Sequence, residues 1–372
     1  MNRAPSVWLM VGLMMFPQIV ETIYSPVLPH IAQAFEVSST IAGHTLSIYF
    51  SAFAIGVVFW GGVADYLGRR YSMLLGLFVY GLAAIGAVFS TQFEHLMLFR
   101  ALSAFGAAVG SVVTQTMLRD SYDGPRLAKV FGYMGMGISI SPVVGLMSGG
   151  ILSDFAGYQG VFTALSLLAV TLILICGKSL PETKPTHISQ PDLVGLARQM
   201  CTDKNIWLDA IMVAGFNIAL FSYYLQGPFV FESMGLSSQQ FGYSGVVLAL
   251  GTFMGSVANK SLLQRKWSSS RLIWLAVIGA LVGAIGVWSL QSSLWLLIPM
   301  LLIVAAFGVG IPNLLSGALI HYKAQAGSAG ALFGLMYYLM IGLGLSVVGS
   351  MQDLGMALCL SGAVLLIAKL IR

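Results

Sequence analysis

The chain has 372 residues, of which 58% are hydrophobic and 8% charged, with 18 Lys and Arg against 13 Asp and Glu. Soluble proteins carry charge on roughly a quarter of their residues. A mean hydropathy of +0.88 leaves too little polar cover for water, so a soluble fold is excluded and lipid is the solvent. At about 20 residues per span, twelve spans fit with short connections.

Taken in chain order, the apolar stretches and their breakers predict spans over 6–28, 40–62, 71–90, 95–118, 127–149, 158–178, 206–231, 240–262, 270–290, 294–318, 326–349 and 352–370. The first run is longer than the core of a signal peptide and reads as a retained span. Runs of this length without alternation cannot close a barrel, so backbone groups in lipid must bond within helices. The expected fold is an all-α membrane protein of two six-helix bundles, 1–178 and 206–372, joined by a linker over 179–205. Within the linker, Leu193, Leu196, Ala197 and Met200 recur at helical spacing behind Pro191, with Asp192, Arg198 and Gln199 on other faces. That pattern fits a short helix at the membrane surface, or a plain tether.

The odd-numbered connections contain no Lys or Arg. Arg3, Arg69, Arg70, Arg119, Arg126, Lys129, Lys178, Lys184, Arg198, Lys204, Lys260, Arg265, Lys266, Arg271, Lys323, Lys369 and Arg372 all fall on the other side. The asymmetry predicts that this side, with both termini, is cytoplasmic. The net positive charge is thus an orientation signal, and no nucleic-acid partner is expected. The exception is Arg100, inside the fourth span. Cys176, Cys201 and Cys359 have neither metal-ligand nor disulfide-framework spacing, and no metal or cofactor is expected.

Between the second and third spans stands Gly61-Gly62-Val63-Ala64-Asp65-Tyr66-Leu67-Gly68-Arg69-Arg70. It resembles the GxxxDRxGRR loop of the major facilitator superfamily, with Tyr66 where that family has Arg. The resemblance implies a cytoplasmic gate in which Gly61 and Gly68 allow close approach. Asp65 sits at a helix end, and Arg69 and Arg70 bond carboxylates or helix C-termini across the seam between halves. Gly255-Ser256-Val257-Ala258-Asn259-Lys260 preserves the spacing in the second half, as a faint internal repeat would.

Arg100-Ala101-Leu102-Ser103-Ala104-Phe105-Gly106-Ala107-Ala108 is similar to the RxxQGxGAA signature of proton-driven members, with Ser103 and Ala104 in place of its Gln and first Gly. Gly137-Ile138-Ser139-Ile140-Ser141-Pro142-Val143-Val144-Gly145 resembles the antiporter signature GxxxGPxxG, with Gly137, Pro142 and Gly145 kept. Small residues and a proline suit a bent, closely packed helix. Tyr24 to Pro29, Arg119-Asp120, Pro181-Glu182-Thr183, Gly227 to Val230, Pro312-Asn313 and Ala326 to Ala329 narrow the likeness to the Bcr/CflA-type drug-resistance exporters. In that branch the first-span acid stands two residues before the Tyr, whereas here Thr22 holds that place and Glu21 precedes it. One residue turns the side chain by about 100°.

Glu21 is the one carboxylate placed deep in the hydrocarbon and Arg100 the one permanent cation there, at similar depths from the outer boundary. A carboxylate whose ionised form is opposed by burial and favoured by a nearby cation exchanges its proton when the cavity contents change. Glu21 and Arg100 are therefore the candidate proton-coupling residues. The alternatives are a static ion pair, or an Arg that only bonds backbone carbonyls. Gln18, Thr22 and Ser25 make a polar stripe with Glu21, expected to face the cavity. Candidate cavity positions are Gln18, Tyr24, His44, Tyr49, Ser111, Gln115, Asn217, Tyr224 and Gln226, with Ser103 beside them. His44 is either a second protonatable site or a solvated interfacial residue.

The resemblance implies a proton-coupled antiporter in the bacterial inner membrane, exporting drugs or other small amphipathic compounds. The partners it implies are a small-molecule substrate, protons and the lipid bilayer, and the chain is expected to be monomeric. A dedicated exporter of an endogenous metabolite, such as a siderophore or amino acid, is the alternative. An enzyme is not expected. His30, His44, His95, His187 and His321 lie on separate segments, and there is no GxSxG, HExxH or Walker loop.

Overall fold

The computed structural model describes residues 5–185 and 193–372. Arg3, His187, Pro191 and Asp192 lie outside the described residues. The first pass is α1 (Val7–Thr22), a 3-10 turn (Ser25–Val27) and α2 (Leu28–Ala34). Pro26 and Pro29 lack N–H donors and stand in the first turns of the latter two pieces, so the helical ladder breaks just after Glu21. This pass therefore reaches Ala34, six residues beyond the expected end. The next three are α3 (Ser39–Leu67), α4 (Arg69–Val88) and α5 (Phe93–Ser121).

Passes five and six run without a loop as α6 (Gly124–Ser179), turned at Ala156 and Gly157. Gly157 takes φ +59, which glycine adopts without a Cβ penalty. After the short α7 (Leu193–Thr202) come α8 (Lys204–Ser233), α9 (Ser238–Gln264), α10 (Ser269–Leu290), α11 (Leu297–Ala318), α12 (Ala326–Met351) and α13 (Leu354–Ile371). The described residues contain no strand, and eleven apolar helical segments are long enough to cross a bilayer. One of these, Lys129–Ser179, holds the turn at Gly157 and makes two passes, giving the twelve expected.

In the first half, α3 and α4 pack on α5, while α6 packs on α1 and α4. In the second, α9 and α10 pack on α11, and α13 on α8 and α10. Lipid supplies no hydrophobic drive between helices, so close approach through small residues matters. A methyl at Gly106 would stand 2.6 Å from the Tyr80 backbone nitrogen, and one at Gly56 2.6 Å from the Phe105 carbonyl oxygen. The linker helix α7 buries Leu196 and Met200 in a core shared with α8, α10 and α12. It is neither a bare tether nor a helix resting on lipid alone, because its apolar face finds a protein partner.

The halves meet mainly through α3 against α12 and α6 against α9. Phe50 and Phe221 stack edge-on across this seam at 4.5 Å between ring centroids, and Phe53 and Tyr338 at 5.1 Å. Near mid-depth, Ser25 Oγ donates to the Tyr224 carbonyl at 2.5 Å. Toward the end opposite the basic residues, Gln33 donates to Glu232 at 2.9 Å and Ser39 to Gln352. Asp154 accepts from the backbone N–H groups of Ser238 (3.2 Å) and Gln239 (3.0 Å). At the basic end, no hydrogen bond or ion pair joins the halves among the described residues. The seam is bonded at mid-depth and at the non-basic end.

Candidate functional site

Helix α1 carries Glu21 one residue before its end, where the prolines that follow interrupt the ladder and turn the chain toward α8. Helix α5 carries Arg100 in its third turn. The Arg100 side chain is fully buried and Glu21 is 5% exposed. The guanidinium carbon lies 3.7 Å from the centroid of the Tyr24 ring and 4.7 Å from that of Tyr49. None of its nitrogens has a hydrogen-bond partner among the described residues, and neither has Glu21 Oε1. The two charges are within electrostatic reach of one another, yet no carboxylate among the described residues stands within 4.0 Å of Arg100.

This arrangement departs from both simpler expectations. Glu21 and Arg100 do not form a contact ion pair, and Arg100 does not bond backbone carbonyls, because the guanidinium lies against aromatic faces. Tyr80 from α4 also senses Arg100, and its hydroxyl has no hydrogen-bond partner among the described residues. Tyr49, Tyr224 and Tyr338 lie within electrostatic reach of Glu21. Glu21 is therefore neighboured by both halves, with Arg100 set among the tyrosines of the first.

The other predicted cavity residues divide. Gln226 is buried and donates to the Val348 carbonyl at 2.8 Å, while its own carbonyl oxygen has no partner among the described residues. Asn217 bonds back to Val213 of its own helix, and Gln115 to Ser111 on α5. Gln18 and His44 are half-buried, and neither has a side-chain hydrogen bond to the cluster among the described residues. Ser103 bonds the Arg100 carbonyl at 2.9 Å. The polar stripe is a correction: Thr22 bonds the Gln18 carbonyl at 2.7 Å and packs on Gly145, while Ser25 bonds Tyr224. Both are buried between helices, because a glycine facing Thr22 lets α1 and α6 close.

At the basic end, Gly61 packs toward Val112 of α5. Gly68 adopts φ +102, ψ 161, ending α3 and starting α4 with no room for a Cβ against Glu182. Arg69 is buried and bonds Asp65 (2.9 Å), Asp120 (2.8 Å) and the Ala64 carbonyl (2.8 Å). Arg70 donates to the Gly177 carbonyl at 2.6 Å. Glu182 accepts from the N–H groups of Arg69 (2.9 Å) and Arg70 (3.1 Å) at the start of α4, and from those of Thr183 and Lys184. Burial alone would raise the Glu182 carboxyl, but these four donors hold it below the usual carboxylate range. The bonds stay within the first half and its linker, and do not cross the seam as the family pattern implied. With the basic ends of the two halves unjoined by hydrogen bonds among the described residues, Arg69 turns to carboxylates of its own half and Arg70 to the Gly177 carbonyl near the end of α6.

The description "Major Facilitator Superfamily" matches residues 10–347. The chain belongs to this superfamily. It is 30% identical over 350 residues to an uncharacterized transporter of Rickettsia bellii, covering 90% of this chain and 87% of that one. It is 26% identical over 333 residues to multidrug resistance protein D of Escherichia coli, covering 88% and 84%. A bacterial homolog of the human lysosomal transporter Spinster shares the fold, with a TM-score of 0.77 at 15% identity over 98% of this chain and 95% of that one. The protein is thus a transporter of this superfamily, as its motifs implied, and not an enzyme.

The remaining superfamily motif lies on α6, where glycines on two faces serve two neighbours. Gly137 packs on Val11 and Met15 of α1, and Gly145 and Gly149 on Thr22 and Ile23. Gly150, the next residue and about 100° further round the helix, meets Ser238 and Gln239 of α9. Pro142 lies within the helix, and Ser141 donates to the Gly137 carbonyl at 2.9 Å. In the second half, Asn313 donates to Asn259 at 2.7 Å, the muted counterpart of the Arg69 cluster. Tyr80, Tyr338 and the seam residues Gln33, Asp154, Glu232 and Gln352 were absent from the predicted site. Isolated polar residues at helix ends and a lone Tyr carry no pattern that singles them out.

Proposed function

We propose that this protein is a proton-coupled exporter of small amphipathic compounds, moving them across the bacterial inner membrane by alternating access of two halves, 1–178 and 206–372, about the linker over 179–205. The observation that carries this reading is Glu21. It is a buried carboxylate whose Oε1 lacks a hydrogen-bond partner among the described residues, near a permanent cation and within reach of tyrosines from both halves. A proton on Glu21 neutralises it beside Arg100, and loss of the proton restores a charge pair. Which form is favoured depends on what occupies the cavity. The α6 glycines support rocking, since they let that helix pack closely on α1 and α9 at once.

With the basic end taken as cytoplasmic, closure at the opposite end corresponds to an inward-facing state. The Gly61 to Arg70 loop, with Asp65, Arg69 and Arg70, then acts as the cytoplasmic gate element, held to its own half until the cycle turns outward. The name of the Escherichia coli relative supports drugs as substrates.

Purified protein in proteoliposomes with an imposed pH gradient tests the reading against a panel of drugs, amino acids and siderophores. Wild type is expected to accumulate at least one compound against its gradient. Glu21→Gln is expected to abolish the dependence on ΔpH while leaving downhill exchange, and Arg100→Ala to impair both. Uphill transport by Glu21→Gln driven by ΔpH would refute the assignment of Glu21. Activity confined to amino acids or siderophores would replace the drug substrate by a metabolite.

A further inference from the structure

We infer that Tyr24 and Tyr49 are positioning residues, holding the Arg100 guanidinium against their ring faces and off the Glu21 carboxylate so that Glu21 can exchange a proton beside a fixed positive charge. The inference rests on the proposed role of Glu21 and adds how that role is kept possible. A guanidinium next to a carboxylate in a dry interior would ordinarily close on it with a two-pronged, charge-assisted contact. Such a pair resists separation, since either member left alone is a bare buried charge. A proton carrier locked into it could not cycle.

Here the faces of the guanidinium are engaged by aromatic rings at 3.7 and 4.7 Å, whose negative quadrupoles attract a cation without taking its charge. Both rings are buried, so water does not weaken the attraction. Both are also braced. Tyr24 packs on Phe162 at 5.9 Å, and Tyr49 lies between Phe50 (5.9 Å) and Phe53 (6.0 Å) while donating to the Pro17 carbonyl at 3.4 Å. The groups facing Glu21 are Arg100 of α5, Tyr49 of α3, Tyr224 of α8 and Tyr338 of α12. Tyr80 of α4 faces Arg100. Phenols stay neutral near pH 7, so only Glu21 changes charge in this cluster.

The test reads Glu21 directly by infrared spectroscopy of the purified full chain, without requiring transport. The band of the protonated carboxyl is assigned by its loss in Glu21→Gln. Tyr24→Phe and Tyr49→Phe, which keep a ring face, are expected to retain the band of wild type. Tyr24→Met and Tyr49→Met remove the face, let the guanidinium settle on the carboxylate, and are expected to cut the ratio of protonated to ionised Glu21 about tenfold or more. If the Met variants do not fold, progressively fluorinated phenylalanines at position 24 weaken the ring quadrupole at nearly constant shape, and the band should fall stepwise.

Unchanged bands in the folded Met variants or across the fluorinated series would overturn the inference. So would a wild type with no such band between pH 5 and 8, since Glu21 would then already be ionised. A wild type that shows the band and its expected losses but no ΔpH-driven transport would refute the export reading and leave the positioning role standing.

Discussion

Removing the Asp154 carboxylate should loosen the seam at the non-basic end. Asp154 lies just before the turn in α6 and reaches across to the first turn of α9. There its two oxygens accept the Ser238 and Gln239 N–H groups at 3.2 and 3.0 Å. Ser237 caps the same helix from its own chain segment through the Gln240 N–H, so Asp154 is a second cap supplied by the other half. His30 stands 3.8 Å from the same carboxylate. Loss of a capping side chain costs about 1 kcal/mol, and loss of a negative charge at a helix N-terminus about 0.3–1 kcal/mol more. Asp154→Ala should therefore shift the balance away from the closed seam by about 1–2 kcal/mol, or about five- to thirty-fold. Spin labels at Thr91 and Ser292, exposed positions at this end of the two halves, would report it in a variant with the three native cysteines replaced by Ala. Electron–electron distance measurements should show a longer, open population growing in Asp154→Ala. Asp154→Asn, which keeps one acceptor oxygen, should fall between. Distance distributions in Asp154→Ala that overlay the parent would show that the cross-half cap does not hold the seam.

Three further outcomes follow from the packing and the linker contacts. Glu182→Ala removes the acceptor for the first N–H groups of α4, so thermal unfolding at pH 7 should show a loss of about 1 kcal/mol. Because the folded carboxyl lies below its ordinary value, its contribution is present above about pH 4.3 and fades as pH falls through the folded value. The gap between wild type and variant should close in acid, and a constant gap would refute the electrostatic cause. Gly68→Ala places a Cβ at φ +102 with Glu182 Oε2 2.5 Å away, which should cost about 1–3 kcal/mol and lower the folded yield on size-exclusion chromatography. Gly149→Ala sets a Cβ 2.9 Å from the Ile23 carbonyl carbon, and overpacking of about 1–3 kcal/mol should lower the unfolding temperature. An unchanged transition would show that α1 and α6 can separate freely.

Residue order alone determined the membrane solvent, the twelve passes, the basic and non-basic ends, and the two deep charges. These follow from local terms. Lipid compels a helix wherever an apolar run is long enough, and a charge among apolar neighbours stands out without any knowledge of its partners. Most span ends lie within a few residues of expectation. The first overshoots because Pro26 and Pro29 break the ladder without ending the pass. Sequence also singled out the Gly68-Arg69-Arg70 loop, the Glu182 segment and the α6 glycines, since each depends on spacing within one stretch.

Tertiary structure decided who meets whom. Glu21 and Arg100 share a level but do not touch, because Tyr24 and Tyr49, from the first and second passes, converge on the guanidinium. Thr22 and Ser25 turn out to be packing residues because Gly145 and Tyr224 face them. The closed end of the seam depends on Gln33, Asp154, Glu232 and Gln352, each an ordinary polar residue at a helix end until its partner arrives from the other half. The seam contacts join residues more than eighty positions apart, and their energies depend on distance and burial that no single segment carries.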